Sequence, residues 1–149
     1  MIEKVFTTVE EALAITQSKL ARAVLEYSLI YKHVTDKAKF APVTAADFDA
    51  MAALVDVDNF ERIGISKEVM RWGEYAQFLA GYANTSIWEG SFKRVSELPG
   101  LVFLELEERG GPNDGSQGYV VNTLTVHEFN EAGKITHLDV YLQGAAQAA

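Results

Sequence analysis

The chain contains no cysteine, which removes disulfide frameworks, thiolate metal sites and cysteine nucleophiles and leaves the redox compartment undetermined. Histidine is scarce as well. The three present, His33, His127 and His137, share no i,i+4 or facing pattern, so neither a metal nor any other cofactor is expected. Positive charge is in short supply: 13 basic residues against 21 acidic ones give a formal charge of −8. That balance opposes a phosphate backbone or an anionic membrane surface, so nucleic acid and membrane are not expected partners. No run approaches the roughly 18 apolar residues of a membrane span, and the opening MIEKVFTTVEEA lacks a basic segment followed by an apolar one. A soluble, cytoplasmic protein is the expectation.

Apolar residues are plentiful, at 48% of 149 positions, enough to bury a sizeable core in one domain spanning residues 1–149. The strongest local signal is a hairpin between Gly118 and Gln143. Two β-rich runs, Tyr119 to Phe129 and Lys134 to Leu142, flank Asn130-Glu131-Ala132-Gly133, whose glycine can supply the positive φ of a tight turn. Alternation places Thr136, Leu138, Val140 and Leu142 on an apolar, inward face and His137, Asp139 and Tyr141 on the other. On the first strand Val121, Thr123, Thr125, His127 and Phe129 share a face, which sets His127 in a partly polar interior.

Upstream, Thr8 with Glu11 has capping-box spacing and opens a long helix whose stripe is Leu13, Gln17, Leu20, Val24, Tyr27 and Tyr31, fraying near His33 to Asp36. Lys37 to Thr44 connects it to a short helix from Thr44 to Val55. A brief strand is expected over Asn59 to Gly64, and a third helix from Ser66 to about Tyr82. Strands follow over Thr85 to Glu97 and Leu101 to Arg109, then a Gly-rich loop from Gly110 to Gly118. That loop lacks the Lys-Ser/Thr and following helix of a phosphate-binding loop. The expected order is α-α-β-α-β-β-β-β, with a frayed tail from Gly144 to Ala149.

The pattern F-N-x-A-G-K-I at Phe129 to Ile135, closing a carboxy-terminal hairpin after a helix-rich first half, resembles the nuclear transport factor 2-like superfamily. That superfamily includes ketosteroid isomerase, SnoaL-like polyketide cyclases, scytalone dehydratase and limonene epoxide hydrolase. The segment from Asp47-Phe48-Asp49 through Ala53-Leu54 to Asp56 and Asp58 is similar to the helix end before the family's first strand. The resemblance covers residues 9 to 143 and implies an α+β fold, a cone-shaped, strongly curved mixed sheet wrapped around three helices with an apolar pocket inside. It also implies a homodimer formed through the sheet face.

Carried over position by position, the resemblance implies that Tyr27 donates to a substrate oxygen, with Tyr31 one turn away in support; the alternative is two ordinary core aromatics. Thr125 stands where ketosteroid isomerase has a protonated aspartic acid, so strong dienolate stabilisation is not implied. His127, two residues on, is either an acid/base group or a satisfied structural histidine. The isomerase base falls at Glu61 or Arg62, of which strand alternation lets only one face the pocket. Asp58, beside Asp56, is a further candidate contact or a simple helix-end residue. Trp88 is either a pocket wall or core. The water-activating set of limonene epoxide hydrolase maps onto Leu106, Glu108 and Val140 and is incomplete, and the inward acid of the cyclases is likewise replaced by Val140. The reading is a cofactor-independent lyase or isomerase using general acid/base catalysis, with His127, Tyr27 and Tyr31 as catalytic groups, on a small aromatic or polycyclic substrate. The alternative is a non-catalytic small-molecule binding or scaffold domain of the same fold.

Overall fold

A computed structural model describes residues 7–144; the expected frayed tail lies, apart from Gly144, outside them. The elements in order are α1 (Val9–Ile15), α2 (Lys19–Ala38), a 3-10 turn (Ala45–Phe48) leading into α3 (Asp49–Ala52), β1 (Glu61–Ile63), β2 (Val69–Met70), α4 (Trp72–Thr85), β3 (Ser86–Leu98), β4 (Leu101–Pro112), β5 (Tyr119–Phe129) and β6 (Ile135–Gln143). The strands form one open six-stranded sheet in the order β2-β1-β6-β5-β4-β3. It is mixed, because β1 runs parallel to β6 while the other neighbours are antiparallel. The fold is α+β, with helices and sheet enclosing a cone-shaped interior.

Thr8 caps α1 as its spacing predicts, its hydroxyl accepting from Glu11 N at 3.0 Å. The single long helix expected after it is two helices. Thr16 turns extended, and the Arg22 guanidinium reaches back to donate to the Leu13 and Thr16 carbonyls at 2.8 Å each. Those carbonyls are orphaned by the end of α1, and a basic side chain is a natural partner for them. Helix α2 then continues to Ala38, past the fraying expected near His33, because Val34 and Thr35 are buried.

Two other expected helices are corrected. The Thr44 start is real, with Thr44 N donating to the Asp47 carboxylate at 2.8 Å, but the helix ends at Ala52 and Val55 bridges Ile135 of β6 instead. Ser66-Lys67-Glu68 is not a helix start: Gly64 N donates to Glu68 O at 2.9 Å, and Lys67 has φ +63. This closes a hairpin in which Arg62 faces Met70. The Glu68 carboxylate, which would suit a first helical turn, is occupied by Ser66 N at 2.9 Å. Helix α4 therefore begins six positions later than expected at Trp72, capped by Glu74 accepting from Arg71 N at 3.3 Å. With α1 and α2 separate, the described residues form four helices rather than three.

The boundaries of the four long strands follow the expected ones closely, except that β4 runs on to Pro112 and takes up Gly110 and Gly111, whereas β1 is shorter than the expected Asn59 to Gly64 and β2 was expected as helix. A Cβ at Gly110 would lie 2.6 Å from Tyr119 Oη and 2.8 Å from Tyr82 Oη, so the strand needs glycine where two tyrosines converge. In β6 the inward phase switches between Ile135 and Leu138, both buried, across an irregularity opposite Glu128 and Phe129. Two apolar clusters fill the interior, one around Phe48, Met51, Phe60 and Ile135, the other around Val24, Leu25, Phe92 and Val102. Tyr31 and Phe129 pack against both, and the cavity opens between them.

Candidate active site

Residues from α2, α3, α4 and five of the six strands line one cavity of about 220 Å³. Helix α2 presents Tyr27 and Tyr31 one turn apart, as their spacing predicts. Tyr27 is 6% exposed, and its hydroxyl makes no hydrogen bond of full geometry among the described residues, the Tyr75 hydroxyl standing beside it as a weak partner. Burial raises its pKa well above the ordinary phenol value, with the nearby Tyr75 adding to the effect and Arg62 opposing it. The phenol is therefore a neutral donor across physiological pH. Tyr31 meets Trp88 edge-on, centroids 4.8 Å apart, and its pKa is likewise raised well above normal, chiefly by burial.

Alternation on β5 turns Thr125 and His127 inward, opposite Val140 and Leu138 of β6. His127 is 2% exposed, and its Nδ1 lies 3.4 Å from Val102 O. Burial pushes its pKa down to about 4, against the opposing pull of hydrogen bonds that the ring donates to the Val102 and Thr125 backbone. The imidazole is thus neutral at pH 7, not poised at neutrality as an unperturbed histidine would be.

Parallel pairing of β1 with β6 sets Arg62 beside Leu138 and answers which of the neighbouring charges faces inward. Arg62 lines the cavity, its side chain 14% exposed. Its guanidinium sits 5.0 Å from the Tyr75 ring centroid and 6.0 Å from that of Phe78. Its Nε has no hydrogen-bond partner among the described residues, and the Glu68 carboxylate stands 3.7 Å from a terminal nitrogen. Glu61 turns the other way, half-exposed, 4.0 Å from Arg71. Asp58 is exposed in the turn before β1, where its carbonyl accepts from Arg71 at 2.7 Å. Neither Glu61 nor Asp58 lines the cavity. Thus Tyr27, Tyr31, Arg62, Trp88, Thr125, His127 and Val140 come together, and the two acids expected as contacts do not.

Trp88 lines the cavity as a wall, and its Nε1–H donates to Glu108 Oε1 at 2.6 Å. Thr123 donates to the other oxygen, Oε2, at 2.5 Å. Glu108 is a cavity residue that the sequence reading passed over except as an incomplete match. The available signal was its phase: it falls on the same face of β4 as Val102, Leu104 and Leu106, a carboxylate on an otherwise apolar side. Tyr75 and Phe78, which fall within the expected third helix, line the cavity from α4. Tyr82 and Tyr119, whose hydroxyls are hydrogen-bonded to each other, also line the cavity and had no local signal. Among the described residues no group of three or more histidines and acids is placed to hold a metal.

No family model matches the sequence, and no curated protein does. Similar solved structures are numerous. A putative SnoaL-like polyketide cyclase from Shewanella putrefaciens superposes with a TM-score of 0.69 at 9% identity, over 95% of this chain and 91% of its own. A putative polyketide cyclase from Xanthomonas campestris gives 0.60 at 16% identity, over 83% and 92% of the two chains. An epoxide hydrolase of M. tuberculosis, similar to the limonene enzyme, gives 0.55 at 18% identity, over 73% and 80%. At these identities the likeness is one of fold, and with the cone, its mixed sheet and its lined cavity it shows that the chain has the nuclear transport factor 2-like fold.

Proposed function

We propose that the protein is a cofactor-independent lyase or isomerase that moves a proton on a small aromatic substrate held in the cone cavity. The observation that carries this reading is the Tyr27 hydroxyl, buried and without a hydrogen bond of full geometry among the described residues, beside a neutral imidazole at His127. An unpaired buried hydroxyl costs free energy in the folded chain, and a substrate oxygen repays it. As an electron pair shifts onto that oxygen, Tyr27 O–H and the Arg62 guanidinium donate to the developing negative charge. Neutral His127, with Nδ1–H directed at Val102 O, keeps the Nε2 lone pair as proton acceptor. Return of the proton to another carbon completes an isomerisation; expulsion of a leaving group completes an elimination.

The test has two stages. Small aromatic carbonyl compounds that raise the melting temperature are incubated with the protein in D2O, and exchange of their carbon-bound protons is followed by proton magnetic resonance. Exchange above buffer, reduced about 10²-fold or more by His127→Ala, is the expected result. Binding with no exchange for any compound favours the second reading, a small-molecule binding domain. One observation supports that alternative: a histidine with a pKa of about 4 is a weak base at pH 7.

A further inference from the structure

Opposite charges stand at separate places in the cavity wall, and they restrict what it can hold. Arg62 on β1 pairs with Leu138, Leu138 with His127, and His127 with Val102, one row across the sheet. Glu108 lies further along β4, level with Val121 and near Thr123. The two charges are thus displaced both across and along the sheet. Tyr75 lies within reach of both: after burial, the largest influence on its hydroxyl is Arg62, which favours ionisation, and Glu108 opposes it.

At the Arg62 end two donors lack an acceptor of full hydrogen-bond geometry, the Tyr75 hydroxyl lying close to both as a weak one. The two donors are the guanidinium Nε and the Tyr27 hydroxyl, and the charge of Arg62 reaches Tyr27. Glu68 is a loose ion-pair partner at 3.7 Å and is 42% exposed, so solvent screens much of its compensation. A planar fork of N–H groups beside an O–H donor suits a carboxylate. At the Glu108 end each oxygen already accepts one hydrogen bond, from Trp88 and from Thr123. The lone pairs left can take a further donor but repel a second anion. The aromatic side chains of Tyr31, Tyr75, Phe78 and Trp88 line the same cavity, and about 220 Å³ accommodates one substituted ring rather than a fused polycycle.

We propose that the cavity takes a monocyclic hydroxyaryl carboxylate, its carboxylate on Arg62 and Tyr27, its ring between the aromatic walls and its hydroxyl donating to Glu108. This deepens the functional reading above and rests on the same cavity being the site, but it concerns binding and is read without turnover.

Isothermal titration calorimetry of the full chain at pH 7 with three probes tests it: 4-hydroxycinnamate, its methyl ester and 4-carboxycinnamate. The hydroxy acid is expected to bind about 10-fold or more tightly than the ester, the effect of losing a charge-assisted contact. The diacid is expected to bind about 10-fold or more weakly than the hydroxy acid, because its second carboxylate meets Glu108. Arg62→Gln should collapse the acid-to-ester ratio, and Glu108→Gln should remove the penalty on the diacid. Equal affinity for acid and ester, or no saturable binding of any probe up to about 5 mM, overturns the proposal. Should Arg62→Gln fail to fold by circular dichroism, the acid and ester contrast on the unmodified chain still decides. Acid-selective binding without proton exchange keeps the ligand class and removes the enzyme; exchange on an uncharged substrate with no acid selectivity does the reverse.

Discussion

Tyr27 meets His127 edge-on, ring centroids 6.4 Å apart and planes at 81°. One belongs to a helix near the start of the chain and the other to the strand before last, so the contact exists only when sheet and helix have closed the cone. Both rings are buried, and burial acts oppositely on their usefulness: it keeps Tyr27 a protonated donor and keeps His127 an unprotonated acceptor.

That depression of His127 makes stability depend on pH with a definite sign. The folded pKa, about 4, lies below the unfolded value near 6.5, so the unfolded chain binds the extra proton between them and stability falls as pH drops through that window. Between pH 7 and pH 5 the contribution amounts to about 2 kcal/mol. Urea unfolding at the two pH values should show His127→Gln losing less stability than the unmodified protein by roughly that amount. An equal loss in both proteins would mean that His127 titrates normally in the folded chain.

Tyr27→Phe should separate stability from function. Removing a buried hydroxyl that makes no hydrogen bond of full geometry among the described residues is expected to leave the melting temperature unchanged or raise it, by up to about 1 kcal/mol of stability. The same change should lower proton exchange on a verified substrate by about 10²-fold or more. A large loss of stability would reveal a hydrogen bond that the hydroxyl makes within the folded protein.

The Thr123 to Glu108 hydrogen bond offers a double-mutant test. Thr123→Val should cost about 1.5–3 kcal/mol, because it takes one donor from a part-buried carboxylate while keeping the shape of the side chain. In a Glu108→Gln background the cost should shrink, since the acceptor has lost its charge. Equal costs in both backgrounds, by chemical denaturation, would show that the two residues are not coupled.

The outward face of the terminal hairpin should form a homodimer contact. Tyr141, 58% exposed, stands directly opposite Leu124, and Val120 on the same face is 57% exposed, an apolar grouping more typical of an interface than of open surface. Sedimentation at micromolar concentration should give a dimer, and Tyr141→Glu should shift it to monomer without changing the circular dichroism. A monomeric unmodified protein would remove the interface.

How far the chain explained itself depended on how local each determinant was. The hairpin from Tyr119 to Gln143 was legible because two-residue alternation and a turn glycine lie within one stretch. Thr8 and Thr44 were legible as caps for the same reason, since each bonds a partner three positions on. Ser66-Lys67-Glu68 misled because its capping chemistry is equally good for a tight turn, and pairing of Arg62 with Met70 across that turn decided the matter. The break at Thr16 had no local breaker; it is held by Arg22 folding back on two carbonyls.

The same division runs through the site. The sequence alone placed Tyr27 and Tyr31 on one helix face and Thr125, His127 and Val140 on inward strand faces, because side-chain direction follows the backbone period. Which of Glu61 and Arg62 points inward was beyond it, for a three-residue strand carries too little alternation to fix a phase, and the parallel pairing with β6 supplied it. Only the tertiary structure gathered Tyr75, Tyr82, Glu108 and Tyr119 around the same cavity, and only it lowered the pKa of His127. Convergence of distant elements and loss of solvent are properties of the closed cone, and no stretch of the chain contains them by itself.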